Sequence, residues 1–395
     1  MRPQSTAGMV LLVLIFALGV CPLPRARTAS AAKAFDPLSA GPYPVGVTTT
    51  LFVDASRTDA VTKEPRTLVT EIWYPATDET RSLPKNKFSD FIPGGVSPVL
   101  GGLLRTAYKL SVDELNTRFW NSSVRDARVR EGRFPLVIFS HGNRGLRFQN
   151  TFWCDYLASH GYVIVSADHT GNAAVAIIKG KSILFQSTER EHSAQDRPRD
   201  VSFLLDQMTG WNSGADSRFA GKLDLTTVTA AGMSFGSFTA IKVADADPRF
   251  KAVVAMAYAP TEGHTNLTVP SLLMLGEEDA TIGPNGIAAI RANFAAHRGP
   301  AYLFGMKHGG HYSFTDMFKL NPTFGDGVGT GKRKDTGETI TFTNMETTYQ
   351  MINSYSIAFL GYYVKGEHEF LPFLTKNHWP DEIEWKYSGV EAGTK

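Results

Sequence analysis

Gly232-Met233-Ser234-Phe235-Gly236 constrains this chain more than any other stretch. The residues before it, 225–231, are β-branched and small, as in a short buried strand. Those after it, 237–246, read as a helix with Ile241 and Val243 among small residues. G-x-S-x-G alone is a common pattern, but on a strand-to-helix turn its serine is placed to act as a nucleophile. Such a turn lifts the hydroxyl above the sheet edge. The flanking glycines are expected to take strained backbone angles that a Cβ would forbid. The following helix points its first N–H groups to where negative charge would develop.

Around this turn, strands and helices alternate. Segments 48–53 and 68–74 read as early strands joined by a polar turn. Buried strands follow at 135–140, 162–167, 252–256, 270–275 and 301–304, with helices at 150–159 and 286–296. Pro198 is expected to open a helix whose Val201, Leu204, Leu205 and Met208 share one face. A last helix spans 347–364, with Ile352, Tyr355, Phe359 and Tyr362 on one face. The alternation implies an α/β fold with a mostly parallel, doubly wound sheet flanked by helices. Residues 81–133 read as a peripheral insertion. Its weak helical pattern (Leu100, Leu103, Leu104, Ala107, Leu110) either packs on the sheet or walls a substrate cleft. Segments 171–197 and 319–346 are further candidates for a rim, the latter rich in Gly and charge.

The N-terminus is set apart. Arg2 precedes an apolar run over 9–20 and a small-residue stretch ending Ala32-Lys33-Ala34, the pattern of a secretory signal over 1–34. The run is short for a membrane span. Export would place the protein outside the cell or in the periplasm. Cys21 would suit a lipid-anchored start, but Val20 is larger than the residue such a site takes. Removing 1–34 deletes Arg2, Arg25, Arg27 and Lys33, which moves the formal charge from +2 to about −2. With no basic run, nucleic acid is not the expected partner. Of the two cysteines only Cys154 would remain, so no intrachain disulfide can form. It lies among Phe152, Trp153, Tyr156 and Leu157 and reads as a buried structural thiol.

A serine hydroxyl needs a base and an orienting acid to react at neutral pH. In open α/β sheets these come from loops at the carboxyl ends of later strands, in the order serine, acid, histidine. Gly276-Glu277-Glu278-Asp279 follows one such strand, and Gly305-Met306-Lys307-His308-Gly309-Gly310-His311 follows the next. The expected set is Ser234, Asp279 and His311. Glu277 and Glu278 compete for the acid, and His308 for the base. The oxyanion site would take the backbone N–H of Phe235 and that of Asn143, the latter in the loop His141-Gly142-Asn143-Arg144-Gly145. His169, Tyr258 and Tyr312 are candidates to line the substrate cleft. His308, His311 and Asp316 would be the ligands of a metal reading, which lacks the helical H-E-x-x-H pattern.

Several of these stretches are familiar. Glu71-Ile72-Trp73-Tyr74-Pro75, Ser140-His141-Gly142, Leu157-Ala158-Ser159-His160-Gly161-Tyr162 and His311-Tyr312-Ser313-Phe314-Thr315-Asp316 resemble the exported acetylhydrolases of platelet-activating factor. The wider group includes bacterial proteins called predicted dienelactone hydrolases, and the resemblance runs over about residues 52–318. It implies an α/β-hydrolase fold and a calcium-independent serine esterase with no cofactor. In that family the acid follows the strand after the nucleophile, where this chain has Met256-Ala257-Tyr258-Ala259 and no carboxylate. Gly276-Glu277-Glu278-Asp279-Ala280-Thr281-Ile282 instead resembles the acid loop of cutinase-like polyester hydrolases and dienelactone hydrolases. The latter use cysteine as nucleophile, whereas this chain has Ser234.

The expectation is an exported esterase acting through an acyl-enzyme on a small-molecule or lipid ester. Short-acyl, phospholipid and polyester or phthalate-type substrates stay open, as does transient contact with a lipid surface. The competing reading outside the enzymes is a binding protein that keeps the fold and has lost activity.

Overall fold

Unbroken burial along the central strands shows how the molecule is built. In Phe134–Ser140, Leu136 and Ile138 enter one apolar layer, and Val137 and Phe139 enter the other. That pattern belongs to a strand covered on both faces. The computed structural model describes residues 36–215, 218–258, 260, 267–333 and 335–390. The segment read as an export signal, 1–34, lies outside the described residues.

The strands of the large sheet are, in chain order, β1 (Val45–Thr58), β2 (Pro65–Pro75), β3 (Ser123–Arg125), β4 (Phe134–Ser140) and β5 (Val163–Asp168). They continue with β6 (Leu223–Met233), β7 (Phe250–Met256), β8 (Ser271–Gly276), β9 (Ala301–Met306) and β10 (Ile383–Ser388). Among the described residues they form one 10-stranded sheet, ordered β10-β9-β8-β7-β6-β4-β5-β2-β1-β3. The strands from β9 through β5 are parallel, while β2, β1 and β10 join antiparallel to their inner neighbours. From β4 the chain steps to β5 on one side and then returns to β6 on the other. A crevice opens above the carboxyl ends of strands at such a reversal.

Helices α1 (Pro98–Tyr108) and α2 (Val112–Arg118) lie in the insertion. Helix α3 (Thr151–Ser159) covers one face of the sheet, while α4 (Arg190–Gly210), α5 (Phe235–Ala246) and α6 (Gly283–Ala296) cover the other. Helix α7 (Met345–Leu360) lies with α3, burying Ile352, Tyr355 and Phe359. Each fully buried side chain of this kind contributes about 1.5–3 kcal/mol. Cys154 is buried in α3, and burial pushes its thiol well above the usual range, so it packs as a small apolar group.

Two expectations need correction, and the structure adds detail to a third. Pro198 lies inside α4, which begins at Arg190. Proline's φ is already helical, and Arg197 and Asp200 beside it are anchored on buried partners, so the helix runs through. The last helix closes at Leu360, and the chain continues in one wider turn, Gly361–Lys365. The insertion does more than cover the sheet. It supplies edge strand β3, and its Phe88, Phe91 and Phe119 cluster with Phe148 at ring separations of 4.8–6.0 Å. Tyr108 and Phe119 reach the cleft described next.

Candidate active site

Ser234 follows β6 directly and has φ 56° and ψ −124°, angles that a non-glycine residue adopts only when its surroundings hold it there. Its N–H donates to the Met256 carbonyl on β7 at 2.7 Å, and α5 begins at the next residue. The strain therefore falls on the serine and not, as the sequence reading held, on the glycines. These are required for close approach instead. A Cβ on Gly232 would sit 2.2 Å from Gly236 backbone, and one on Gly236 would sit 1.8 Å from the Ser140 carbonyl oxygen. Only bare backbone lets helix, elbow and β4 come this close.

The acid and base loops converge on this turn. His311 Nε2 lies 2.9 Å from Ser234 Oγ, and His311 Nδ1 lies 2.7 Å from Asp279 Oδ2. An ionised carboxylate only accepts, so the Nδ1 proton faces Asp279 and Nε2 is free to accept from the serine. Asp279 Oδ1 is held by the N–H groups of Thr281 at 3.0 Å and Ile282 at 2.9 Å. The competing acids point elsewhere, with Glu277 paired to Arg291 and Glu278 to Arg333. His308 is exposed. Asp316 is paired with buried Lys319 at 2.7 Å, so the side chains of the metal reading do not converge.

The loop after β4 supplies the facing wall. Gly142 N–H donates to Gln149 Oε1 at 3.2 Å. Among the described residues the Asn143 N–H has no protein acceptor. Phe235, first in α5, likewise has no intrahelical partner for its N–H. His141 is buried beneath this loop. Its Nδ1 lies 2.6 Å from the Gly142 carbonyl, and its Nε2 accepts the His169 N–H at 3.1 Å. Burial and the nearby Arg197 hold it well below the usual histidine range, hence neutral.

Of the proposed cleft residues, Tyr312 lines a cavity of about 370 Å³ together with Asn143, Ser234 and His311. Tyr108, Phe119, Phe148 and Leu320 make its apolar wall. His169 does not reach it. It is buried between Ser140 Oγ at 2.8 Å and Asp200 Oδ2 at 2.9 Å. Tyr258 packs edge-on against Phe238, 6.5 Å between ring centres, away from this lining. The sequence reading missed Asp326. It lies in the segment 319–346 and accepts the Thr281 hydroxyl at 2.7 Å and, through its carbonyl, the Tyr312 N–H at 2.8 Å. Flanking Gly325 and Gly327 were its only local signal.

The chain is similar to several known proteins. A family model described as platelet-activating factor acetylhydrolase, isoform II, matches residues 28–197. One described as PET hydrolase-like matches residues 130–317, the stretch that holds Ser234, Asp279 and His311. The platelet-activating factor acetylhydrolase of Cavia porcellus is 23% identical over 370 residues, covering 85% of this chain and 79% of its own. Among solved structures, a ferulic acid esterase from Streptomyces cinnamoneus superposes with a TM-score of 0.66 at 22% identity. That match covers 87% of this chain and 96% of the esterase. With a mostly parallel sheet and a serine elbow at its switch point, the chain has the α/β-hydrolase fold, and these likenesses fit a member of that superfamily.

Proposed function

We propose that this chain hydrolyses carboxylic esters through an acyl-enzyme on Ser234, with His311 as base and acid and Asp279 as its orienting carboxylate. The observation that carries this reading is the unbroken path from Asp279 Oδ2 through His311 to Ser234 Oγ, with steps of 2.7 and 2.9 Å. Ser234 Oγ bonds the ester carbon as its proton passes to His311 Nε2, and the carbonyl electron pair moves onto oxygen. The N–H groups of Phe235 and Asn143 receive that charge, an effect typically worth about 2.7–4 kcal/mol per donor. Collapse breaks the bond to the alcohol, which leaves with the Nε2 proton. Water then gives its proton to Nε2 and its hydroxide to the acyl carbon, and the proton returns to Ser234 as the acid departs.

The likeness to an acetylhydrolase and a ferulic acid esterase supports an ester as substrate. The aromatic wall of a cleft of about 370 Å³ supports a short acyl or compact aromatic group. A polyester-type substrate is the second reading, favoured by the PET hydrolase-like match over all three residues. We read 1–34 as removed on export, which N-terminal sequencing of exported protein tests. The test of function is turnover of p-nitrophenyl esters from acetate to palmitate by wild type and Ser234→Ala, with and without a chelator. Serine-dependent, chelator-insensitive turnover that falls with acyl length is expected. Activity that survives in Ser234→Ala overturns the mechanism, and no turnover on any ester favours the inactive binding protein.

A further inference from the structure

Ser140, His169 and Asp200 repeat the order of the cleft's own serine, histidine and aspartate one layer below it. Asp200 Oδ2 meets His169 Nδ1 at 2.9 Å, and His169 Nε2 meets Ser140 Oγ at 2.8 Å. All three are buried and none lines the cleft, so no ester reaches this serine. The relay ends on Arg197, which is itself fully buried in α4. Arg197 Nη2 donates to Ser140 Oγ at 2.8 Å and to the His141 carbonyl, and Nη1 donates to Asn172 Oδ1 at 2.8 Å. Asn172 Nδ2 in turn donates to Asn143 Oδ1 at 2.9 Å, and the Asn172 carbonyl accepts the Arg144 N–H at 3.0 Å. The guanidinium also lies over the Phe235 ring, 4.6 Å from its centre.

The donor directions are forced. Arg197 only donates, and ionised Asp200, gripped by Arg66 through both oxygens, only accepts. His169 therefore carries its proton on Nδ1, and Ser140 gives its hydroxyl proton to Nε2 while its lone pair takes the Arg197 donor. Burial, and then the charge of Arg197, push His169 down to about 4, in keeping with this neutral form. Every hydrogen-bond acceptor of Arg197 is neutral, and the carboxylate that offsets its charge, Asp200, acts across the relay rather than by contact.

We propose that Arg197 is the positioning residue of the oxyanion site. It fixes the loop bearing the Asn143 amide through His141 and Asn172 and abuts Phe235, the residue bearing the other amide. This rests on the ester-hydrolysis reading of Ser234.

The test compares wild type with Arg197→Met, Arg197→Lys and Asn172→Ala. The readouts are kcat and KM on p-nitrophenyl butyrate, thermal unfolding, and affinity for an alkyl boronic acid that mimics the tetrahedral intermediate. For Arg197→Met, kcat is expected to fall about ten- to hundredfold with KM within about twofold, and boronate affinity to fall in parallel. Asn172→Ala, which keeps the cation and cuts one link, should move the same quantities less. If Arg197→Met does not fold, Arg197→Lys and Asn172→Ala carry the test. Folded variants that keep kcat, or that lose only KM or melting temperature, overturn the proposal alone. A wild type without Ser234-dependent turnover overturns the ester-hydrolysis reading and this proposal with it.

Discussion

The Asp326 carboxylate accepts the backbone N–H of His311 at 3.0 Å with the same oxygen that takes the N–H of Ala280 at 2.9 Å. One side chain thus ties the loop of the base to the loop of the acid, and the 2.7 Å spacing of Asp279 and His311 depends on that register. Asp326→Ala removes these bonds and the one to Thr281. It should lower kcat about tenfold and stability by about 1–3 kcal/mol. Asp326→Asn should recover most of both, since its amide oxygen can serve the paired N–H groups while the Thr281 hydroxyl accepts from its NH₂. Steady-state kinetics and urea unfolding of the two variants check this. Equal losses in both would show that the charge matters rather than the clasp.

Three neighbouring acids should separate cleanly. Asp279→Asn leaves the shape of the loop but offers His311 Nδ1 the wrong partner, and kcat should fall on the order of 10³–10⁴-fold. Glu277→Gln and Glu278→Gln break partly exposed pairs with Arg291 and Arg333. Such pairs contribute about 0–1 kcal/mol, so both variants should keep kcat within about threefold. Kinetics of the three purified proteins decide it, and a large loss in either Gln variant would reassign the acid.

At the elbow, Gly236→Ala should be more damaging than a single methyl implies. Its Cβ meets the Ser140 oxygen at 1.8 Å, the Ser140 carbon at 2.6 Å and the His141 oxygen at 2.8 Å, all backbone atoms that cannot rotate away. Overpacking of this kind costs about 1–3 kcal/mol or more, and the displaced segment carries the Asn143 amide. Both melting temperature and kcat should fall. An alanine variant with wild-type kcat would mean that the loop after β4 yields without consequence.

The skeleton and the meeting of Ser234, Asp279 and His311 were legible because local rules placed them. Short continuous apolar runs announce β4 to β9, and an α/β sheet delivers residues at successive strand ends to one edge. What was not legible depends on contacts far apart in sequence. Nothing around Asp326 says that it will meet Ala280 and His311, and its glycines read equally well as a surface loop. His169 ends β5 near the active edge, and only Asp200 and Ser140, brought in by α4 and β4, turn it inward. Pro198 reads as a helix start by local preference, which the buried anchors on either side of it override. Strand β3 is too short to carry a period at all.

Asp155 gives a prediction whose sign depends on pH. It is buried in α3, and burial raises its carboxyl to about 6, although the Ser122 N–H at 2.6 Å works the other way. Unfolded, the group titrates near 3.9. The folded state therefore holds the proton more tightly. That contribution is fully present below about 4 and is lost as pH rises through about 6, where the buried charge becomes a cost. Asp155→Asn keeps an acceptor for Ser122 and cannot ionise. It should match wild type in stability near pH 4 and exceed it by about 2–4 kcal/mol at pH 8, the order set by that difference in proton affinity. Urea unfolding at the two pH values measures it. The same offset at both would mean that the change is one of packing, with Asp155 ionised throughout.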